Sequence, residues 1–286
     1  MPAPEQVVWL DGRLADPATA SLHWSDHGIT VGDGVFETVK VVAGAPFALT
    51  RHLRRLARSA EGLGLDAPGT GVLRRAVDEV LDAWGPRDGR LRITVTGGPG
   101  PMGSSRGTAG PTLLVTAGAL AIDREATDVV VVPWPRNERG ALAGLKTTSY
   151  AENVVALARA TGSGATEALF LNTAGDLCEG TGSNVFVGLG PLLVPPPLSS
   201  GCLAGVTREL LLEELAAAGS PASVEAVPAD ELGRADEVFL VSTTRDVQPV
   251  RRVDGRGLPA CPGPLTRRAA EVWDRAFGPG TDRPDP

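Results

Sequence analysis

Lysine is nearly missing from this chain: of 27 basic residues only Lys40 and Lys146 are lysines, and all the rest are arginines. Cysteine is scarce too. Cys178, Cys202 and Cys261 are odd in number, far apart and without a C-x-x-C, so no disulfide framework is expected and a reducing, cytoplasmic setting is. The three histidines, His23, His27 and His52, cluster early and form no ligand set with the cysteines, which argues against a metal site. No serine stands in a G-x-S-x-G elbow, so a Ser-His-Asp hydrolase is excluded. An excess of positive charge is also absent. The net charge of −7 offers no electrostatic footprint for nucleic acid. No run of 18 apolar residues occurs, and the opening "MPAPEQVVWLDGR" has neither a basic segment nor an apolar core, so neither a membrane span nor a leader is expected.

What is present is an ordinary globular composition, 42% hydrophobic and 21% charged over 286 residues, enough for one large domain or two moderate ones. Asp11-Gly12 in "VVWLDGRLAD" and Ala43-Gly44 in "GVFETVKVVAGAPFAL" signal hairpins. Thr50 is placed to cap a helix whose Leu53, Leu56, Ala57, Ala60 and Leu63 form an apolar stripe, ended by Gly62 and Gly64. A second helix follows around Val72 to Trp84, and "RLRITVT" and "TLLVTA" read as neighbouring strands. The pattern pauses near residues 118–126 and a fresh series begins. "DVVVVP", "EALFLNTAGDLCEG", "SNVFVG", "EVFLVS" and "VQPVRRV" are strands, with helices expected at Ser149 to Ala160, Thr207 to Ala218 and Pro264 to Phe277. Both halves mix hairpins with helices, which predicts an α+β architecture.

Lys146 lies in "ALAGLKTTSY", an apolar approach to a helix-like run. An amine that must shed its proton and act as nucleophile or base requires lysine, because arginine stays charged. A snorkelling lysine, or a general preference for arginine, accounts for the same letters. Glu179, in "DLCEGTGSNVF", precedes Gly180, Gly182 and Asn184, which suit close approach of backbone to a ligand. Its carboxylate is suited to a protonated ring nitrogen, and equally to a solvated hairpin end. In "LAGVTREL" the N–H groups of a helix start and the Thr207 hydroxyl converge where an anion is favoured, although a plain N-cap explains them as well. Ser242, Thr243 and Thr244 put three hydroxyls at a strand end, which turn chemistry also explains. Arg51, Arg54, Arg55 and Arg58 form a basic stripe, either a solvated face or a source of one phosphate-binding fork. The Gly-rich "TGGPGPMGSSRG" lacks G-x-G-x-x-G and a Walker lysine, and reads as a mobile loop or lid.

The order of "SDHGITVGDGVFETVKV", "RHLRRL", "LKTTSYAENVVALARA", "EALFLNTAGDLCEGTGSNVFV", "GCLAGVTRELLLE" and "DEVFLVSTTRDVQPV" resembles class IV (fold-type IV) pyridoxal-phosphate enzymes. That family includes branched-chain and D-amino-acid aminotransferases and aminodeoxychorismate lyase. The likeness covers roughly residues 5 to 250, and E-G-x-x-S-N placed 33 residues after the lysine is its most specific part. It implies a small N-terminal α/β domain (1–118), a linker (119–126) and a larger C-terminal domain with a barrel-like sheet (127–286, frayed from about 279). It further implies pyridoxal 5'-phosphate between the domains, and a homodimer.

Residue by residue, the resemblance makes Lys146 the Schiff-base lysine and Glu179 the partner of the pyridine nitrogen. It makes Arg55, in H-x-x-R-L, a phosphate ligand together with Val206, Thr207 and Thr243. Leu203 matches the side chain packed on the ring, and Gly182, Ser183 and Asn184 the cofactor's edge. Met102 and Ser104 stand where D-amino-acid aminotransferases carry an Arg and a His for the substrate carboxylate, which counts against a D-amino-acid specialist. Arg106, in the same loop, and Tyr150, the single tyrosine, are candidate substrate contacts. "VGDGVFET" and "KTTSYAENVVALARA" are most similar to aminodeoxychorismate lyase. The expected reaction is therefore 4-amino-4-deoxychorismate to 4-aminobenzoate and pyruvate, in folate precursor synthesis. The alternatives are transamination of branched-chain or D-amino acids with a 2-oxo acid, and a non-catalytic binding protein of the same fold. The expected partner is a small amino substrate, with no metal, nucleic acid or membrane.

Overall fold

The computed structural model describes residues 4–278 and 285–286. Asp11-Gly12 turns strand β1 (Gln6–Leu10) into β2 (Arg13–Ala15), and Ala43-Gly44 turns β3 (Gly34–Val42) into β4 (Ala45–Pro46). Both residues of each pair have positive φ, 44° and 105° in the first and 48° and 85° in the second, as tight hairpin turns require. With the short helix α1 (His27–Thr30), α2 (Leu49–Leu63), α3 (Thr70–Trp84), β5 (Gly89–Thr96) and β6 (Thr112–Gly118), these elements build the first of two units. That unit comprises Met1–Ala121, Leu145–Tyr150 and Pro284–Pro286. Its six strands run in the order β2-β1-β6-β5-β3-β4, all antiparallel.

Alternation along β3 sends Val35, Val39 and Val41 to one face, where they join Leu91, Ile93 and Val115 beneath Leu53 and Leu56 of α2 and Val77 and Val80 of α3. Glu37 belongs to the same valine row and is completely buried. Helix α2 departs from the expected start. Its N-cap is Ala48, at φ 55°, and Thr50 instead gives its amide (2.8 Å) and hydroxyl to Asp285. Gly64, at φ 64°, ends the helix as expected. Of the predicted frayed tail, residues 279–284 lie outside the described residues. Pro286 O, beyond them, accepts a bond from Arg51 Nε (2.9 Å).

The second unit, Ile122–Gly144 with Ala151–Arg283, contains β7 (Thr127–Val131), α4 (Ala151–Gly162), β8 (Glu167–Leu171), β9 (Leu177–Gly180), β10 (Asn184–Leu189) and β11 (Leu192–Val194). Then come α5 (Val206–Ala217), α6 (Ala229–Arg234), β12 (Glu237–Ser242), β13 (Asp246–Val253), β14 (Arg256–Gly257) and α7 (Pro264–Phe277). An eight-stranded sheet runs β11-β10-β12-β13-β7-β8-β9, with β14 on β13. It is mixed: β7 is parallel to both β13 and β8. Val129, Leu169, Leu177, Val185, Leu240 and Val250 fill its core. The helix expected from Ser149 begins at Ala151, and the one expected to be capped by Thr207 is capped by Gly205. A Cβ at Gly205 would lie 1.9 Å from Asn184 Oδ1, so close approach explains the glycine. Among the described residues no helix is long and apolar enough to cross a membrane.

Candidate active site

In the first unit, the segment carrying Lys146 is stitched to β3. Phe36 N donates to Lys146 O (3.0 Å), Thr148 N donates to Gly34 O (2.8 Å), and Thr147 bridges Val35. Lys146 N donates to Ser59 Oγ (3.1 Å), one helical turn beyond Arg55 on α2. These bonds fix the lysine's backbone from two sides. Its side chain is half-buried, with Nζ 4.4 Å from the centre of the Phe36 ring and 3.5 Å from the Tyr150 hydroxyl. Tyr150 meets Phe36 edge-on at 5.1 Å, and the Arg92 guanidinium lies 3.8 Å from the Phe36 ring centre. The amine therefore sits among aromatic surfaces and beside the one tyrosine, and the structure brings together two of the predicted residues.

Arg55, the predicted phosphate ligand, is buried in a fork-to-fork pair with Glu37, Nε to Oε1 at 2.7 Å and Nη2 to Oε2 at 2.6 Å. His52 Nδ1 also meets Glu37 Oε2, at 2.7 Å. Burial by itself would raise the Glu37 carboxyl, but the Arg55 charge and the hydrogen bonds from Arg55 and His52 hold it at about 2. Burial pushes His52 below its ordinary value, against the opposing pull of Glu37. The pair engages the Nε–Nη2 edge and locks the guanidinium plane. Glu37 was legible as an anomaly, a carboxylate in a row of core valines, but nothing local names its partner.

Arg106 is engaged elsewhere in this unit. Its Nε and Nη2 bind the two oxygens of Asp33, each at 2.7 Å, while Nη2 also donates to Leu63 O (2.9 Å) and Nη1 to Gly64 O.

In the second unit, Glu179 stands near the end of β9, where Oε2 accepts from Leu203 N (2.9 Å) and Oε1 lies 3.7 Å from Arg136 Nε. Asn184 Nδ2 donates to Leu203 O (2.9 Å), so Glu179, Asn184 and Leu203 are held together. Arg136, absent from the sequence reading, lies over the Phe170 ring at 4.2 Å and reaches Glu152 and Asn153 at 3.1 Å each. The turn between β9 and β10 rests on a second unforeseen residue, the buried Glu167. Its carboxylate accepts from Thr181 N (2.9 Å), Thr181 Oγ1 and Ser183 Oγ (2.9 Å), leaving Gly182 exposed at the tip. Gly205 gives α5 no side-chain cap, so Val206 and Thr207 open the helix with their amides directed along the axis. Thr243 begins the turn after β12, at the sheet end where Asn184 faces Val241.

A family model described as amino-transferase class IV matches residues 34–253. The chain is 33% identical to D-alanine aminotransferase of Bacillus licheniformis, over 91% of this chain and 93% of that protein. It is 31% identical to the bifunctional aminodeoxychorismate lyase / D-amino acid transaminase of Mycobacterium tuberculosis, over 95% of this chain and 98% of that one. A solved PLP-bound hypothetical aminotransferase from Mycobacterium tuberculosis matches with a TM-score of 0.84 at 30% identity, covering 95% of this chain and 98% of that one.

Proposed function

The chain belongs to the amino-transferase class IV family, whose enzymes depend on pyridoxal 5'-phosphate, and from that premise we propose that it is a cytoplasmic, homodimeric 4-amino-4-deoxychorismate lyase. Each unit by itself offers donors suited to the cofactor: the first a lysine amine for the aldehyde and an oriented guanidinium for the phosphate, the second an uncapped helix start for the phosphate and an oriented carboxylate for the ring nitrogen.

Bound pyridoxal 5'-phosphate supplies an aldehyde that takes up primary amines and a protonated ring that draws electrons from the amine-bearing carbon. Lys146 Nζ, held by the Phe36 and Tyr150 rings, would serve as the base for the proton on that carbon. Glu179, with Arg136 3.7 Å from its Oε1, would face the ring nitrogen and hold its proton. Arg55, Val206, Thr207 and Thr243 would hold the phosphate, Leu203 would meet the ring, Gly182, Ser183 and Asn184 would border it, and Tyr150 and Arg106 would contact the substrate, whose products would be 4-aminobenzoate and pyruvate.

The observation that carries lyase chemistry above D-amino-acid transamination is the Gly-rich loop. Met102 is 89% exposed and Ser104 is uncharged where the D-amino-acid enzymes it resembles carry an Arg and a His. Transamination is the second reading, favoured by the D-alanine aminotransferase likeness. The purified enzyme given aminodeoxychorismate is expected to release 4-aminobenzoate and pyruvate in equal amounts. It should work faster there than on D-alanine or leucine with 2-oxoglutarate. Full transaminase turnover without 4-aminobenzoate would reverse the order. Light scattering at twice the chain mass checks the dimer.

A further inference from the structure

The Gly-rich segment 97–111 is pinned to the stretch around α1. Gly97 N donates to Asp33 O (2.9 Å), His27 N to Gly98 O (2.9 Å) and Gly100 N to Ser25 O (3.1 Å), while His27 Nε2 meets Pro101 O (3.0 Å). Its limbs touch each other: a Cβ on Gly98 would lie 1.9 Å from Gly110 O. The segment has one cation, Arg106, and a carboxylate already fills it in the bidentate geometry that any carboxylate would adopt. That carboxylate, Asp33, has a second neighbour. Its Oδ2 lies 3.9 Å from His27 Nδ1, a buried nitrogen without a hydrogen-bond partner. Beside the ion pair opens a cavity of about 530 Å³, bordered by Val31, Leu63, Ser104 and Ser149, large enough for a small organic acid.

We propose that Asp33 is a built-in stand-in for a substrate carboxylate, and that the Asp33–Arg106 pair is an exchange latch setting specificity for acidic substrates. An arriving carboxylate takes the Arg106 fork, Asp33 turns toward His27, and the side-chain hold of Asp33 on the Gly-rich segment is released. No covalent bond changes, and one carboxylate replaces another on the same guanidinium, so the exchange is nearly balanced and a modest advantage of the substrate decides it. Arg106 is then a specificity residue and Asp33 its internal competitor. This inference rests on the pyridoxal-phosphate enzyme reading.

The test uses holoenzyme, with succinate as an unreactive dicarboxylate followed by its effect on the cofactor's visible absorption. Asp33→Asn is isosteric and removes the competitor, so succinate should bind about tenfold tighter, the effect of freeing one charge-assisted contact. Arg106→Gln, on the exposed loop, should nearly abolish binding, and the double variant should show no gain. Unchanged or weaker binding to Asp33→Asn, or a gain that survives loss of Arg106, overturns the proposal. Trypsin cleavage after Arg106, followed by mass spectrometry, reads the latch without the cofactor. Cleavage should be slow in the wild type and several-fold faster in Asp33→Asn or with succinate added. Equal rates would mean that the pair does not hold the segment. A protein that takes up no pyridoxal phosphate defeats the enzyme reading, and the proteolysis arm still judges the latch.

Discussion

Lys146→Arg is expected to abolish the visible absorption of the purified protein and its sensitivity to borohydride, and to lower turnover by at least roughly 10²–10⁴, the usual worth of one general base. Arginine keeps the positive charge near the Phe36 and Tyr150 rings, and the lysine's backbone bonds to Phe36 and Ser59 do not involve the side chain. The fold should therefore survive, and unchanged circular dichroism would show it. What arginine cannot do is form an imine or give up a proton near neutral pH. The scarcity of lysine makes the experiment clean, because Lys40 is the single rival. Lys40 lies on β3, buried over the Phe47 ring at 5.0 Å, and Lys40→Arg should keep the band. A band that persists in Lys146→Arg and disappears in Lys40→Arg would move the chemistry to the other lysine.

The second large effect concerns Glu37. Glu37→Ala leaves the Arg55 guanidinium and the His52 ring without their shared partner in a buried site. Breaking such a pair costs on the order of 3–5 kcal/mol. At a few degrees per kcal/mol for a chain of this size, the melting temperature should fall by roughly 10 °C. Uptake of pyridoxal phosphate should weaken as well, since the carboxylate fixes the plane of the Arg55 fork. The same network predicts how the wild type responds to acid. Glu37 is depressed from 4.5 to about 2 in the folded chain, so its contribution is complete above about pH 4.5 and disappears as pH falls toward 2. At about 1.4 kcal/mol per pH unit that contribution is roughly 3 kcal/mol. His52 is also depressed, from 6.5, so a further contribution is present above about pH 6.5 and fades below it. Thermal melts over a pH series should show the wild type weakening from about pH 6.5 downward. Glu37→Ala should lose the decline below about pH 4.5. A wild-type melting temperature that stays flat from pH 7 to pH 3 would contradict this assignment.

Much of the fold was legible because its signals are local. Turn pairs such as Asp11-Gly12 require positive φ, alternation names the buried face of β5, and Pro264 at the start of α7 marks that helix to the residue. Helix starts were less legible. Thr50 and Thr207 are good caps by composition, yet their helices begin after Ala48 and Gly205. A distant carboxylate (Asp285) claims the first threonine, and Asn184 crowds the residue before the second helix. The candidate site divides in the same way. Lys146, Glu179 and the helix start at Val206-Thr207 could be picked out because their neighbours in the chain form a motif. For Glu37, Arg136 and Glu167 no local motif names the partner, since each acts on a residue in another element.

The sequence by itself determined the alternating strands, the apolar helix faces, and one of only two lysines followed at a fixed interval by a glutamate and its glycines. Those properties depend on backbone geometry over a few residues, which composition and spacing encode directly. Only the tertiary structure decided where the charges went: Arg55 to Glu37, Arg106 to Asp33, and Arg136 to the side of Glu179. An arginine's local pattern says which face of its element it occupies. Which carboxylate it meets depends on packing between different elements, and where the pair is buried, as at Arg55 and Glu37, that choice is costly to reverse.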